Sequence, residues 1–335
     1  MNVLVTGGGG FIGSHVVDRL LKDGHNVSVI DISRENIERN LGVNEELGRS
    51  NLSVHCCDVN SISHLNGLDN IDWIVHLAAL ADIVPSIENP VDYHDANVNG
   101  TLQVLEFARN NNVKRFIYAA SSSCYGDKPR VPTQETEPIN VKYPYALTKW
   151  IGEEYCMHWH KVYKLPVLSL RFFNVYGPRS RTTGAYGAVF GVFLAQKLNE
   201  KPYTVVGSGS QSRDFIYVDD VVEAIMSSLK SSRVGEAYNV GSGQHVTINN
   251  LVNLLGKNHG IVNLPNRPGE PDITMAWIGK IQQDLKFTTK TTFQAGVKIM
   301  LERINDFKDA PLWDKLKIKE ATNKWFETLG DNNEH

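Results

Sequence analysis

Several features that would place a protein in a specialised class are scarce in this sequence. Among its 335 residues are only four cysteines, Cys56, Cys57, Cys124 and Cys156, whose spacing fits no metal site or disulfide framework. No apolar run approaches the roughly 18 residues of a membrane span, and no secretory signal is apparent at Met1. We therefore expect no metal, no membrane association, four reduced and buried thiols, and a cytoplasmic location.

The chain also has little net charge. Lysine and arginine number 34 against 37 acidic residues, which gives a formal charge of −3. This balance offers no electrostatic reason to expect binding to nucleic acid or to a membrane. With 41% hydrophobic and 21% charged residues and no internal repeat, the composition excludes a collagen, a coiled coil and a largely disordered chain.

In the first half, short apolar runs alternate with helical patterns. The runs predict strands at residues 3–5, 27–30, 52–57, 73–77, 116–119 and 167–170. These runs are apolar on both faces, as in a parallel sheet covered by helices on both sides. The prediction is an α/β protein with a Rossmann-type doubly wound sheet and a smaller α/β lobe towards the C-terminus.

A glycine-rich turn follows the first predicted strand. Gly7, Gly10 and Gly13 are spaced as G-x-x-G-x-x-G, so backbone N–H groups at a helix start can approach a pyrophosphate. Asp31 ends the second strand, where a carboxylate can accept the hydroxyls of a ribose. A 2′-phosphate would meet a like charge there, so NAD is favoured over NADP. The further predicted cofactor contacts are Phe11, Ile12, Asp58, Val59, Leu77, Ala78, Ala79 and Asn97.

Tyr145 and Lys149 form an i, i+4 pair that follows Pro144 at a predicted helix start. A phenol is a poor base at neutral pH, but a neighbouring ammonium and a nicotinamide cation should lower its pKa. Ser121 lies at the end of a predicted parallel strand, the edge where open α/β sheets bind ligands. The three residues are candidates for the catalytic group.

Taken together, the motifs of this sequence resemble those of the extended short-chain dehydrogenase/reductase family, in its branch of NAD-dependent sugar-nucleotide epimerases and dehydratases. The resemblance runs from residue 1 to about residue 305, and the last thirty residues match nothing familiar. It rests on the glycine spacing, Ser121-Ser-Ser-Cys-Tyr-Gly126, Tyr145-x-x-x-Lys149, Leu170-Arg-Phe-Phe-Asn-Val-Tyr-Gly-Pro-Arg179, Ser212-Arg-Asp-Phe-Ile-Tyr-Val-Asp-Asp220, Tyr238-Asn-Val-Gly-Ser-Gly243 and Arg267-Pro-Gly-Glu270.

The resemblance implies a role for each matching residue. Tyr145 would be the base, Lys149 would bind the nicotinamide ribose and tune Tyr145, and Ser121 would be the family's catalytic hydroxyl. Phe173 would lie beside the nicotinamide. The implied substrate contacts are Ser122, Ser123, Asn174, Arg213, Arg267 and Thr274. We expect an NAD-binding domain of residues 1–173, to which 213–240 return, and a nucleotide-sugar-binding lobe of 174–212 and 241–335.

The reaction is argued from differences within that family. Its 4,6-dehydratases carry Asp-Glu after the catalytic threonine, and its decarboxylases carry Glu at the position of Ser123. This chain has Ser122 and Ser123, which exchange no protons at neutral pH in that way. A 4-keto sugar would then only turn and take the hydride back, so we predict C4 epimerisation of a UDP-hexose.

The sugar is predicted from one position and one loop. In the family's 4-epimerases a tyrosine at the position of Thr274 accompanies plain hexoses, whereas a small residue admits an N-acetyl group. The segment 183–189 resembles that of N-acetylhexosamine enzymes. We expect UDP-GlcNAc/UDP-GalNAc interconversion, with UDP-Glc/UDP-Gal as a second pair. The alternatives are a UDP-glucuronate 4-epimerase, a sugar-nucleotide 4-dehydrogenase or ketoreductase with net NAD(H) turnover, and a non-catalytic nucleotide sensor.

Two further expectations concern packing. Relatives usually have Ala-Asp-x-Ser-Lys where this chain has Ala276-Trp-Ile-Gly-Lys280, so the following helix should start differently. Trp277 should be a packing residue, with a place in the pocket wall as the alternative. Relatives often dimerise through a four-helix bundle. Here residues 96–110 and 145–163 would supply the helices of a homodimer.

Overall fold

The computed structural model describes residues 1–42, 50–180, 189–256 and 260–330. Its strands, numbered along the chain, are β1 (Asn2–Thr6), β2 (Asn26–Asp31), β3 (Leu52–Cys56), β4 (Trp73–His76), β5 (Arg115–Ser121), β6 (Val167–Phe172), β7 (Asn174–Tyr176), β8 (Tyr203–Val206), β9 (Ser212–Arg213), β10 (Phe215–Tyr217), β11 (Glu236–Val240), β12 (Val246–Thr247) and β13 (Ile261–Leu264).

The helices are numbered in the same way. They are α1 (Phe11–Lys22), α2 (Arg34–Leu41), α3 (Ile83–Glu88), α4 (Pro90–His94), α5 (Gly100–Asn110), α6 (Pro144–Tyr163), α7 (Val189–Leu198), α8 (Val218–Lys230), α9 (Ile248–Leu255), α10 (Gly279–Leu285), α11 (Phe293–Glu302) and α12 (Lys315–Leu329). Short 3₁₀ turns occupy Val59–His64, Ser122–Tyr125 and Ile304–Phe307, and a π-helical stretch, Asp95–Asn99, leads into α5.

Within the described residues seven strands form one parallel sheet, in the order β11-β6-β5-β4-β1-β2-β3. The predicted strands all fall in this sheet, and the predicted doubly wound α/β fold is confirmed. Because β1 lies between β2 and β4, the chain order reverses there. A crevice therefore opens at the carboxyl ends of β1 and β4.

Both faces of this sheet are covered by apolar clusters. On one face Val5 and Val29 pack with Val17 of α1 and Ile225 of α8. On the other face Leu4, Ile74 and Phe116 pack with Val104 and Leu105 of α5. The inner strands are mostly apolar because each buries both rows of side chains, whereas the edge strand β3 leaves Ser53 and Cys56 exposed.

The C-terminal part is built from small sheets around an aromatic cluster. The pairs are β7 with β10, β9 with β12, and β8 with β13. Tyr176 stacks on Phe190 with ring centroids 4.6 Å apart, and Phe215 and Phe293 complete the cluster. These short strands carry no long periodic pattern, which explains why sequence analysis did not resolve them.

Two packing expectations need correction. Of the four thiols, Cys124 and Cys156 are buried as expected, but Cys56 is exposed and Cys57 is partly exposed because β3 is an edge strand. Trp277, expected to be a packing residue, is 37% exposed. The following helix does begin without a side-chain cap, at Ile278, as predicted from the missing Asp and Ser.

Candidate active site

A cavity of about 1290 Å³ lies at the carboxyl ends of the parallel strands and extends into the C-terminal part. Pockets for one small ligand are typically about 300–1,000 Å³, so this cavity has room for two ligands side by side. It is lined by Gly7, Gly10, Phe11, Ile12, Gly13, Asp31, Asp58, Val59, Leu77, Ala78, Ala79, Ser121, Ser122, Ser123, Tyr145, Lys149, Phe173, Asn174, Arg213, Arg267 and Thr274.

The glycine turn after β1 is a cradle that side chains would fill. Gly7 has a φ of +68°, and a Cβ there would lie 2.8 Å from the backbone nitrogen of Ala78. A Cβ on Gly13 would overlap the carbonyl oxygen of Gly7. α1 begins after Gly10 without any side-chain cap, so the first N–H groups of the helix are left for an anion. The turn fits a dinucleotide pyrophosphate.

Asp31 stands at the end of β2 beside this cradle. Its carboxylate accepts hydrogen bonds from the N–H of Gly9 at 2.9 Å and of Ser33 at 2.9 Å. Burial raises the pKa of this carboxyl group, and the backbone donors lower it in part. The side chain is therefore held in place, close to the glycine turn, where a ribose of the dinucleotide can reach it.

A second side chain supports the turn and was missed by sequence analysis. Asn40 of α2 donates its amide to the carbonyl of Gly9 at 2.7 Å and is buried. The segment that separates Asn40 from the turn includes all of β2. The contact of Asn40 with the turn therefore depends on the tertiary fold, and no short sequence motif predicts it.

Asn97, predicted as a cofactor contact, lies outside the cavity lining. It is 1% exposed, and its amide holds Leu80 through bonds of 2.8 and 3.0 Å and donates to Thr148 at 3.0 Å. The side chain therefore positions the segment after β4 instead of facing a ligand. Asp58 lines the cavity but also caps its own turn by accepting from Asn60 at 2.8 Å.

The structure brings the three catalytic candidates together at the centre of the cavity. Ser121 ends β5, and Tyr145 and Lys149 lie one turn apart near the start of α6, where Pro144 occupies the first helical positions. Ser121 hydrogen-bonds with Tyr145, and its Oγ accepts from Ser123 Oγ at 2.9 Å. Lys149 is 5% exposed, and its ammonium lies 4.5 Å from the centre of the Tyr118 ring.

The pKa values differ from the sequence-based expectation. Burial raises the pKa of Tyr145, the hydrogen bond with Ser121 opposes this, and the charge of Asp82 raises it further. Burial also lowers the pKa of Lys149 to about 8. The expected lowering of the Tyr145 pKa by Lys149 is wrong for the chain alone, because the ammonium packs on Tyr118 and its own charge is disfavoured.

A buried ion pair fixes the helix that carries Tyr145. Glu153, one turn after Lys149, contacts Arg171 of β6 at 2.5 Å and accepts from Ser169 at 2.8 Å. Arg171 also donates to the Tyr125 hydroxyl at 2.8 Å, just after the serine cluster. This network locks α6 against β6 and the Ser121 segment, and sequence analysis did not single it out.

The second wall of the cavity carries the two predicted arginines and a carboxylate between them. Glu270 contacts Arg213 at 3.2 Å and Arg267 at 3.0 Å. The Arg213 side chain is 13% exposed and the Arg267 side chain 9% exposed. Two forks sharing one carboxylate leave a net positive charge, which suits a diphosphate.

Asp214, next to Arg213 in the chain, links this wall to Thr274. It is fully buried, and its carboxylate accepts from the backbone of Ser242 at 2.7 Å and of Ala276 at 2.9 Å. Its own N–H donates to Thr274 Oγ1 at 3.0 Å, and Thr274 lies 3.4 Å from the Asn174 amide oxygen. The predicted gate residue is thus held by a group that the sequence did not reveal.

Two other residues qualify the predicted set. Tyr143 lines the cavity, hydrogen-bonds with Ser123, and has a pKa raised by burial, yet was not predicted. Trp277 is absent from the lining residues that the structure describes, so its ring does not form the pocket wall there. Of segment 183–189, predicted from its resemblance, all but Val189 lies outside the described residues.

The described residues also contain no cluster of His, Cys, Asp and Glu able to hold a metal ion. In the same part of the chain, no helix has the length and apolarity needed to span a bilayer.

A glycine cradle at the switch point of a parallel sheet, opposite a Ser–Tyr–Lys group, defines an extended short-chain dehydrogenase/reductase. The chain belongs to the NAD-dependent epimerase/dehydratase family, whose family model matches residues 3–241. The solved structures that are similar over most of the chain include the following three.

UDP-glucose 4-epimerase from Thermotoga maritima, solved with UDP-glucose, is 32% identical, with a TM-score of 0.83 over 91% of this chain and 99% of that one. UDP-N-acetylglucosamine 4-epimerase from Methanobrevibacter ruminantium is 33% identical, with a TM-score of 0.81 over 90% and 98%. UDP-glucuronic acid 4-epimerase from Bacillus cereus, in complex with UDP-glucuronic acid and NAD, is 30% identical, with a TM-score of 0.81 over 91% and 99%.

Proposed function

We propose that this protein is a nucleotide-sugar 4-epimerase that inverts C4 of a UDP-hexose through a transient 4-keto sugar. The observation that carries the proposal is the trio at the end of β5. Ser121, Ser122 and Ser123 give the cavity lining hydroxyl groups and no carboxylate at these three positions, and Ser121 hydrogen-bonds with Tyr145. Loss of water or of carbon dioxide would require an acid or base at these positions, whereas epimerisation requires none.

The roles of the catalytic residues follow from their positions. Tyr145 takes the proton of the sugar 4-hydroxyl and returns it, and Ser121 hydrogen-bonds with the phenol and aligns it. Lys149 lies one helical turn after Tyr145 and lines the cavity, where it can hold a ribose hydroxyl of the dinucleotide. NAD held by the glycine turn would supply hydride acceptance and return at C4, and its positive ring would favour the phenolate form of Tyr145.

The second wall supports binding of a nucleotide diphosphate. Arg213 and Arg267 reach the cavity from separate segments and share Glu270, which keeps both forks oriented before the ligand arrives. The uridine base is assigned by similarity to the UDP-sugar 4-epimerases above. Asn174 lines the same cavity and contacts Thr274, so we assign it to the sugar.

UDP-GlcNAc and UDP-GalNAc are the proposed substrate pair, with UDP-Glc and UDP-Gal as the second. Support comes from Thr274, a small side chain on the cavity wall that leaves room for a 2-acetamido group. A tyrosine at this position would fill that room. We expect Thr274→Tyr to reduce turnover of UDP-GlcNAc far more than turnover of UDP-Glc.

We also propose a homodimer formed by α5 and α6, and a cytoplasmic location. α6 exposes Leu147 near its start and Val162 and Tyr163 at its end, apolar side chains that a partner helix could cover. The free cysteines suit a reducing compartment. Light scattering tests the dimer: a particle of one chain, 37.4 kDa, would contradict it.

The function is tested with the purified protein and no added cofactor. Separate samples receive UDP-GlcNAc, UDP-Glc and UDP-glucuronate, and proton NMR follows the anomeric signals. We expect the 4-epimer of UDP-GlcNAc to grow to a fixed ratio. Conversion of UDP-glucuronate alone would identify a hexuronate epimerase, and stoichiometric NADH after NAD⁺ addition would identify a dehydrogenase. Either result would overturn the proposal.

A further inference from the structure

The last helix that the structure describes, α12, reaches the second wall of the cavity. This wall carries Arg213 and Arg267 and is called the diphosphate wall below. α12 follows Asp314, whose carboxylate caps it by accepting from the N–H of Lys317 at 2.9 Å. The family match ends at residue 241, and no motif in the sequence assigns this segment a role. The helix nevertheless buries three side chains: Ile318, Thr322 and Trp325.

Trp325 contacts the loop that carries Arg267. Its indole Nε1 donates to the carbonyl oxygen of Pro268 at 2.8 Å, and its ring centre lies 5.3 Å from the Arg267 guanidinium carbon. Trp325 is 2% exposed. One side chain therefore fixes both the backbone next to the arginine and the plane of its guanidinium group.

Arg267 is thus held on two sides, by Trp325 against its face and by Glu270 at its edge at 3.0 Å. An arginine whose side chain is already ordered loses less conformational freedom when it binds a phosphate. The tryptophan can therefore strengthen ligand binding without touching the ligand.

The same helix also contacts α3, which lines another part of the cavity. α12 packs on α3, and Ile83 at the start of α3 lines the cavity. At its other end, Ile318 belongs to the aromatic cluster of the C-terminal part. α12 thus connects the two walls next to the cavity.

We propose that Trp325 is a positioning residue for the nucleotide diphosphate and acts through Arg267, which makes α12 part of the substrate-binding site. The ligand class rests on the proposed function. The inference goes beyond it by assigning a binding role to a segment outside the family match.

The first test is titration calorimetry with UDP and, separately, with NAD. Trp325→Leu should weaken UDP binding about tenfold and leave NAD binding unchanged, since a cation–π contact and a hydrogen bond are lost. Trp325→Phe keeps the ring face and should recover most of the affinity. Trp73→Leu is the matched control: Trp73 lies at the amino end of β4, away from the cavity, and its replacement should change neither UDP nor NAD binding. In turnover assays Trp325→Leu should raise KM and leave kcat unchanged.

A double-mutant cycle shows whether the effect passes through Arg267. In the Arg267→Ala background, Trp325→Leu should weaken UDP binding no further. Additive losses, equal weakening of NAD, or wild-type protein that does not bind UDP would each overturn the inference. If Trp325→Leu weakens UDP binding as expected but the wild-type protein epimerises no UDP-sugar, the role of Trp325 would stand and the proposed function would be wrong.

Discussion

The two walls of the cavity are built in different ways. The dinucleotide wall, formed by the glycine turn and the start of α6, depends on backbone close approach at Gly7 and Gly13 and on two single side chains, Tyr145 and the nearly fully buried Lys149. The diphosphate wall depends on paired side chains from distant segments, in which Arg213 and Arg267 share Glu270.

Because of this difference, the two walls should respond differently to single substitutions. A group that acts alone, in a place where nothing else fits, has no substitute when it is lost. Paired arginines share their task, so the loss of one leaves the other oriented by the same carboxylate. We therefore expect large, specific losses from changes in the dinucleotide wall and graded losses in the diphosphate wall.

The largest effect should come from Tyr145→Phe. Removing the proton acceptor should lower kcat by about 10²–10⁴-fold, the usual contribution of acid–base catalysis, with NAD and UDP affinities unchanged. The matched control is Tyr143→Phe, a phenol that lines the same cavity without contacting Ser121 in the hydrogen bonds described. Comparable losses in both variants would show that the base is misassigned.

The features predicted from sequence are those set by short spacing. The glycine turn and the Tyr145–Lys149 pair each follow from a few neighbouring residues, and the strands of the large sheet share one apolar pattern. Asp214, Glu270 and Trp325 were not predicted as supports, because each acts on a segment about 60 residues away or on a turn of irregular backbone.

Burial was the other quantity that the sequence did not supply. Asn97 was predicted as a cofactor contact, yet the fold buries it and turns its amide towards Leu80. The direction of the Tyr145 pKa was wrong for the same reason, since the desolvation of a side chain depends on what packs around it.

Lys149→Met should separate stability from function within the dinucleotide wall. The folded-state pKa of about 8 lies below the ordinary value of 10.5, so between these pH values the unfolded chain binds more protons and wild-type stability rises with pH. At pH 7 the variant should therefore be more stable, by on the order of 3 kcal/mol, and nearly inactive. Urea unfolding at pH 7 and near pH 10 should show this advantage shrinking, and a variant less stable at pH 7 would contradict the assignment.

Gly13→Ala tests the cradle itself. The added methyl group would overlap the Gly7 carbonyl, so the turn must shift, at a cost of about 1–3 kcal/mol. We expect NAD affinity to fall about 30-fold, the equivalent of about 2 kcal/mol, with UDP affinity unchanged. Gly10→Ala is the control, because its Cβ would lie 3.2 Å from the same oxygen, a contact that small movements relieve. Equal losses for both alanines would show that the close approach at Gly13 is not decisive.

The smallest effect is expected in the diphosphate wall, from Arg213→Lys. The charge is kept but the planar fork is lost, together with its shared contacts to Glu270 and to the Pro271 carbonyl at 2.7 Å. Since Arg267 remains in place, UDP affinity should fall only about tenfold, with NAD affinity unchanged. Arg233→Lys, at an exposed pair with Asp284, is the control and should change neither. A thousandfold loss of UDP binding would mean that the two arginines do not share the diphosphate, and the contrast between the walls would fail.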